Sequence, residues 1–149
     1  MAFVPTPKKI VRSMLQLASL RRGETLIDLG AGDGRILIEA VRRFGAHAIG
    51  VEMNAALIAR IKERLTATGT KAELIEGDIF DADLTRADVI TIYLSASANA
   101  RLAPMLRAQA KKGARVVSLD YSLPEWRPER ELDVKASGME RKLYLYMAI

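Results

Sequence analysis

The stretch Thr25-Leu-Ile-Asp28-Leu-Gly30-Ala-Gly32-Asp-Gly34-Arg-Ile36 decides how this chain folds. Thr25 to Leu29 reads as a short buried strand and Gly30 to Gly34 as a glycine-rich turn. Arg35 to Phe44 reads as a helix with Ile36, Leu37, Ala40, Val41 and Phe44 on one face. Glycines at such a turn let a ligand approach the backbone, and the helix N-terminus behind them offers unpaired N–H groups. The spacing is GxGxG. It is neither the GxGxxG of dinucleotide sites nor the Gly-Lys-Ser/Thr ending of a P-loop. Asp28 sharpens the reading, because a carboxylate just ahead of the turn repels a pyrophosphate and suits a positively charged ligand.

Outward from this turn, strand and helix alternate. Upstream, Thr6 is a candidate N-cap and Pro7 suits a first helical turn, with Ile10, Val11, Met14, Leu15 and Ala18 at helical spacing. Downstream come a strand at 46–52, a helix at 55–65, a strand at 73–76 and a nearly continuous apolar strand at 88–94. A helix at 99–110 follows, with Pro104 predicting a start or kink, then a strand at 115–120. Segments 131–136 and 143–148, joined across Ser137 to Glu140, read as a terminal hairpin. The expected fold is α/β: a Rossmann-like, doubly wound, mostly parallel seven-stranded sheet with a C-terminal antiparallel hairpin and helices on both faces. One domain is expected over residues 1–149, with 1–22 as a helical segment covering the site and 23–149 as the core. Ligands of such sheets bind outside the carboxyl ends of the strands.

Three of those ends carry an acid. Glu52 follows the second strand and could accept both hydroxyls of a ribose. Asp78 follows the third, in Glu76-Gly-Asp78-Ile79, and could accept from the amine of an adenine, with Met53 and Ile79 as apolar faces. Each has a plainer reading: Glu52 as a solvated strand end, Asp78 and Asp33 as helix caps, the glycines as a tight connection. Together at three strand ends they fit a ligand with an amino group, a ribose and an adenine but no phosphate, which is S-adenosylmethionine.

Composition agrees with a cofactor that brings its own electrophile. The 149 residues hold no cysteine and one histidine, so thiolate clusters, disulfides, cysteine nucleophiles and multi-histidine metal sites are excluded. No metal site is expected. His47 lies early in the second strand, at the wrong end for chemistry, and reads as structural or exposed. No apolar run reaches the ~18 residues of a membrane span, and residues 1–10 lack a signal-peptide core. A cytoplasmic location is the expectation. The net charge of +5 suits an anionic partner, whether nucleic acid or an acidic protein surface.

The glycine motif extends into a longer pattern: Val4-Pro-Thr6-Pro7, Asp28 to Ile36, Gly50-Val-Glu-Met-Asn54, Gly113 to Ser118 and Leu123-Pro-Glu-Trp126-Arg-Pro128. In this combination the chain resembles the class I methyltransferase family of the archaeal broad-specificity protein-lysine enzyme. The same family includes the mitochondrial enzymes acting on ATP synthase c-subunit and the adenine nucleotide translocase. The resemblance implies that Thr6 and Pro7 cover the methionine end of the cofactor. It places Asp28, Gly30, Ala31 and Gly32 along that end, Glu52 on the ribose, and Met53, Asp78 and Ile79 around the adenine. Tyr93 would sit at the sulfonium and the incoming nucleophile, as cofactor contact and catalytic residue. Pro5, Ser95 and Tyr121 would line the substrate channel. Ala31 stands where a serine is common, and the mitochondrial members' hydrophobic anchor is not seen. The implied activity is methylation of lysine on a protein with an acidic surface, by a monomer or weak oligomer with no membrane partner. A nucleic-acid or small-molecule substrate is the alternative. Against methylation of a base amine, the fourth strand ends Tyr93-Leu-Ser95 instead of Asn/Asp-Pro-Pro-aromatic.

Overall fold

The structure, a computed structural model, describes residues 4–149, and the first three residues of the expected N-terminal segment lie outside that range. The elements run α1 (Lys8–Leu17), β1 (Thr25–Leu29), α2 (Arg35–Phe44), β2 (His47–Glu52), α3 (Ala55–Thr68) and β3 (Glu73–Glu76). After a single 3-10 turn at Ile79–Asp81 come β4 (Val89–Ile92), α4 (Ala96–Gln109), β5 (Arg115–Leu119), β6 (Arg130–Ala136) and β7 (Met139–Met147). All seven strands form one sheet in the order β3-β2-β1-β4-β5-β7-β6. The first five are parallel, while β7 inserts antiparallel between β5 and β6. The strand order reverses between β1 and β4, which opens a crevice there.

The apolar pattern explains the layers. On one face α1, α2 and Ile61 of α3 share a core with Leu26, Ala48, Val89 and Val117. On the other, Leu102, Ala103 and Leu106 of α4 pack with Ile27, Ile49, Ile90, Val116 and Tyr146. Each strand thus sends alternate residues to opposite faces. Gly50 keeps the first layer tight: a Cβ there would lie 2.7 Å from Leu37 Cδ1 and 2.9 Å from Ala31 Cβ, so α2 and the glycine turn rest directly on β2.

Three local expectations change. Thr6 does not cap α1. Pro7 occupies the N-cap without a side-chain bond, and the buried Thr6 gives its carbonyl to Arg35 Nη1 at 2.8 Å. The fourth helix begins at Ala96, because the Ser95 hydroxyl accepts from Ala98 N at 3.1 Å; Pro104 sits inside the helix and is exposed. The hairpin turns on Ser137 and Gly138, with φ of 53° and 75°, so Met139 already pairs with Ala136. The run Met139-Glu-Arg-Lys142 lacks the apolar alternation that marks a strand.

Candidate functional site

The glycine turn crosses the end of β2. Gly30 and Ala31 donate to the Val51 carbonyl at 2.9 and 3.0 Å, with φ of 79°, 59° and 84° at Gly30, Gly32 and Gly34. A side chain would strain each of those positions. Glu52 then ties the turn to the next loop. Its Oε1 accepts from Gly32 N at 2.9 Å, and Oε2 accepts from Met53 N and Asn54 N at 3.2 and 3.1 Å. Asn54 in turn caps α3, accepting from Leu57 N.

Asp28 is the electrostatic centre. It lies opposite Gly50 on one side and Thr91 on the other, and Thr91 donates to its Oδ1 at 2.8 Å. The carboxyl is 3% exposed. Burial, with the neighbouring charges of Glu52 and Asp33, overrides the Thr91 bond and pushes it up to about 7. Among the described residues no cation pairs with Asp28. Asp33 differs although it is as deeply placed. Burial opposes its ionisation, but Arg35 (2.6 Å) and Arg64 (3.5 Å) overcome this and hold the carboxyl below its usual range. The N-cap position of α2 is Gly34, while Asp33 Oδ1 accepts from the first helical N–H, Arg35 N, at 3.3 Å, and Asp33 lines the edge of the same cavity as Asp28.

These groups open onto a cavity of about 390 Å³. Of the expected site residues, Thr6, Asp28, Gly30, Ala31, Gly32, Glu52, Tyr93, Ser95 and Tyr121 line it. Pro5, Pro7, Met53, Asp78 and Ile79 stand outside its lining. Met53 is exposed beyond the β2 end, and Asp78 accepts from Phe80 N at 2.9 Å, capping the 3-10 turn. Its plainer reading is thus seen, which leaves its second oxygen for a ligand. A larger groove of about 980 Å³ lies beyond Arg35, but it holds none of the strand-end acids.

The far wall of the cavity is built from distant parts of the chain. Tyr93 is half-buried, with the Arg141 guanidinium over its ring at 5.4 Å. Asp120, at a φ of 67°, grips Arg141 through Nε (3.0 Å) and Nη2 (2.7 Å). The buried Asn99 donates from Nδ2 to the carbonyls of Tyr121 and Ser122, both at 3.1 Å, and so holds the turn after β5. Tyr146 accepts from Leu123 N at 2.8 Å and Trp126 donates to Ala103 O at 3.1 Å, pinning the following segment. Tyr121 itself is 40% exposed and lines the cavity.

Sequence reasoning missed Thr91, Arg35, Asn99 and the Asp120–Arg141 pair. Thr91 had a signal: it is the one polar residue in Val-Ile-Thr-Ile. Arg141 had none, because its partner is 21 residues away across an antiparallel pair.

The donor set fits S-adenosylmethionine. A carboxylate with no cation of its own faces the cavity, which rewards a sulfonium or ammonium and penalises a phosphate. Glu52 keeps lone pairs for hydroxyls. Fold and site together define an S-adenosylmethionine-dependent methyltransferase. More narrowly, the chain belongs to the ANTKMT methyltransferase domain family, which its residues 28–130 match. A protein-lysine N-methyltransferase of Saccharolobus islandicus (strain REY15A) is 36% identical over 148 residues, spanning 97% of this chain and 92% of that one. The mouse lysine N-methyltransferase of the ATP synthase c-subunit is 30% identical over 85% of this chain, which spans 51% of that longer protein. A crystal structure of an RNA methyltransferase from Salinibacter ruber in complex with S-adenosyl-L-homocysteine superposes with a TM-score of 0.89. It is 38% identical, covering 97% of this chain and 93% of that one.

Proposed function

We propose that this methyltransferase acts on lysine side chains of proteins. The observation that carries the reading is the cavity wall opposite Asp28. There Tyr93, Leu94, Ser95 and Tyr121 frame an opening to which, among the described residues, no acid or histidine is added beyond Asp28, Asp33 and Glu52 of the cofactor side. Likeness to the Saccharolobus enzyme supports it. When bound, S-adenosylmethionine supplies a methyl on a sulfonium leaving group. The chain's task is then positioning and exclusion of water. Asp28 and the glycine turn would hold the methionine end, Thr6 would cover it, and Glu52 would hold the ribose. Met53, Asp78 and Ile79 would extend the site toward the adenine beyond the β2 and β3 ends. Pro7 would join Thr6 over the methionine end, and Pro5, Ser95 and Tyr121 would line the channel through which substrate enters.

A lysine amine must react neutral. From an ordinary value near 10.4, losing its proton at pH 7 costs about 4.6 kcal/mol. An aromatic channel lowers that cost by desolvation, and the positive sulfonium of a bound cofactor would further disfavour an ammonium. Transfer to lysine should therefore rise between about pH 7 and 9. Residues 4–22 act as the cover of the same single domain, and no described helix is long and apolar enough to cross a membrane.

A second reading, methylation of RNA, draws on the Salinibacter ruber relative and the +5 charge. One experiment separates them. The chain is incubated with methyl-labelled cofactor and a cell lysate, then half is digested with protease and half with nuclease. Label released by protease and recovered as methyl-lysine is expected; label released by nuclease alone would overturn the lysine reading.

A further inference from the structure

The groove beyond Arg35 runs between α1, α2 and the C-terminal part of α3, with a volume of about 980 Å³. Lys8, Arg12, Arg35, Arg42, Arg43 and Arg64 line it, with Glu39 as the single acid in its lining. Counting Asp33, which pairs with Arg35 and Arg64, this one surface carries a net +4 of the chain's +5. The rest of the chain is close to neutral. Such a concentration of charge in a depression focuses the field and draws anions to it.

The groove does not neutralise itself. Glu39 is shared by Arg12 (3.3 Å) and Arg43 (2.9 Å). Arg42 donates to the Thr68 carbonyl, and among the described residues neither it nor Lys8 has a carboxylate partner. Between the charges lie Val11, Ile38 and Ala67, and among the described residues no aromatic ring lines the groove. Single-stranded RNA is held by base stacking on such rings, and its unbroken line of phosphates would meet Glu39. A peptide with spaced carboxylates avoids both difficulties and can rest on the apolar floor.

We propose that this groove docks an acidic segment of the substrate protein beside the methyl-transfer cavity. The proposal rests on the lysine reading. Arg35 joins the two places, since it lines both and holds the Thr6 carbonyl at the cavity edge. A docked segment raises the local concentration of the lysine it carries, which lowers KM and leaves kcat unchanged.

The test uses two synthetic peptides, each with one lysine joined by a Gly-Ser linker to a tract in which alanines space either glutamates or glutamines. The full chain is compared with Arg42→Gln/Arg43→Gln and with Lys8→Gln, and unchanged cofactor affinity shows that the variants fold. The expected result is a KM at least about fivefold lower for the glutamate peptide, with the advantage lost in the double variant, reduced in Lys8→Gln, and erased by high salt. Equal KM values for both peptides in the unaltered chain would overturn the docking site. Tighter binding of a single-stranded oligouridine than of the fluorescent glutamate peptide would also overturn it, in favour of RNA. Failure of both peptides to accept methyl, while the glutamate tract still binds and the double variant does not, would instead break the lysine reading.

Discussion

The two halves of the cavity are made differently. The half at the ends of β1 and β2 comes from one continuous stretch, residues 28–54, in which the glycine turn, Glu52 and Asn54 are cross-linked by backbone N–H bonds. The half at the ends of β4 and β5 gathers Tyr93, Asn99, Asp120, Tyr121 and Arg141 from four separate elements and loops. The first is rigid and holds a buried acid with no cation. The second is partly open and its charges are already paired. A ligand of fixed chemistry suits the first half, and substrates that vary suit the second.

The largest effect that would break this contrast is at Asp28. Asp28→Asn keeps an acceptor for Thr91 and removes the charge, so cofactor affinity should fall at least about a hundredfold by calorimetry. The same change should stabilise the empty protein. Folding raises this carboxyl from 3.8 to about 7, so its contribution is complete below the lower value and lost as pH rises through the upper one. Above neutrality that leaves a penalty on the order of 4 kcal/mol. Asp28→Asn should therefore melt higher than the unaltered chain at alkaline pH, and an unchanged or lower Tm would contradict the assignment.

Smaller effects sharpen the contrast. Glu52→Ala should weaken the cofactor by at least about tenfold, through lost charge-assisted bonds to the ribose; an unchanged Kd would remove Glu52 from the site. Arg141→Met tests the other half. With its guanidinium gone from the Tyr93 ring, kcat should fall about fivefold while cofactor Kd stays constant. A change in Kd of the same size would mean that the two halves are not independent.

The same division governs what could be read from sequence. The glycine spacing, the acid ahead of it and the acids at later strand ends are local patterns, and the helical and strand periods around them place each one. That gave β1, α2 and β3 their observed bounds and most of the cofactor half. The Thr91 contact to Asp28 depends on strand register, which needs the parallel pairing of β1 with β4. Arg141 and Asp120 meet only because β7 inserts beside β5. Ser95 was expected along the channel; it lines the cavity while also capping α4, a dual use that a β-to-α boundary hides until the backbone is placed.

Asp28 poised for a cation is the centre of this picture, and proton release measures it directly. S-adenosylmethionine is titrated into the chain at about pH 6 in two buffers of different ionisation enthalpy, where the cofactor's own amine stays protonated. With Asp28 at about 7 when empty, binding beside the cationic end should drive off roughly 0.9 proton per site. Tight binding at that pH with no proton released would contradict it.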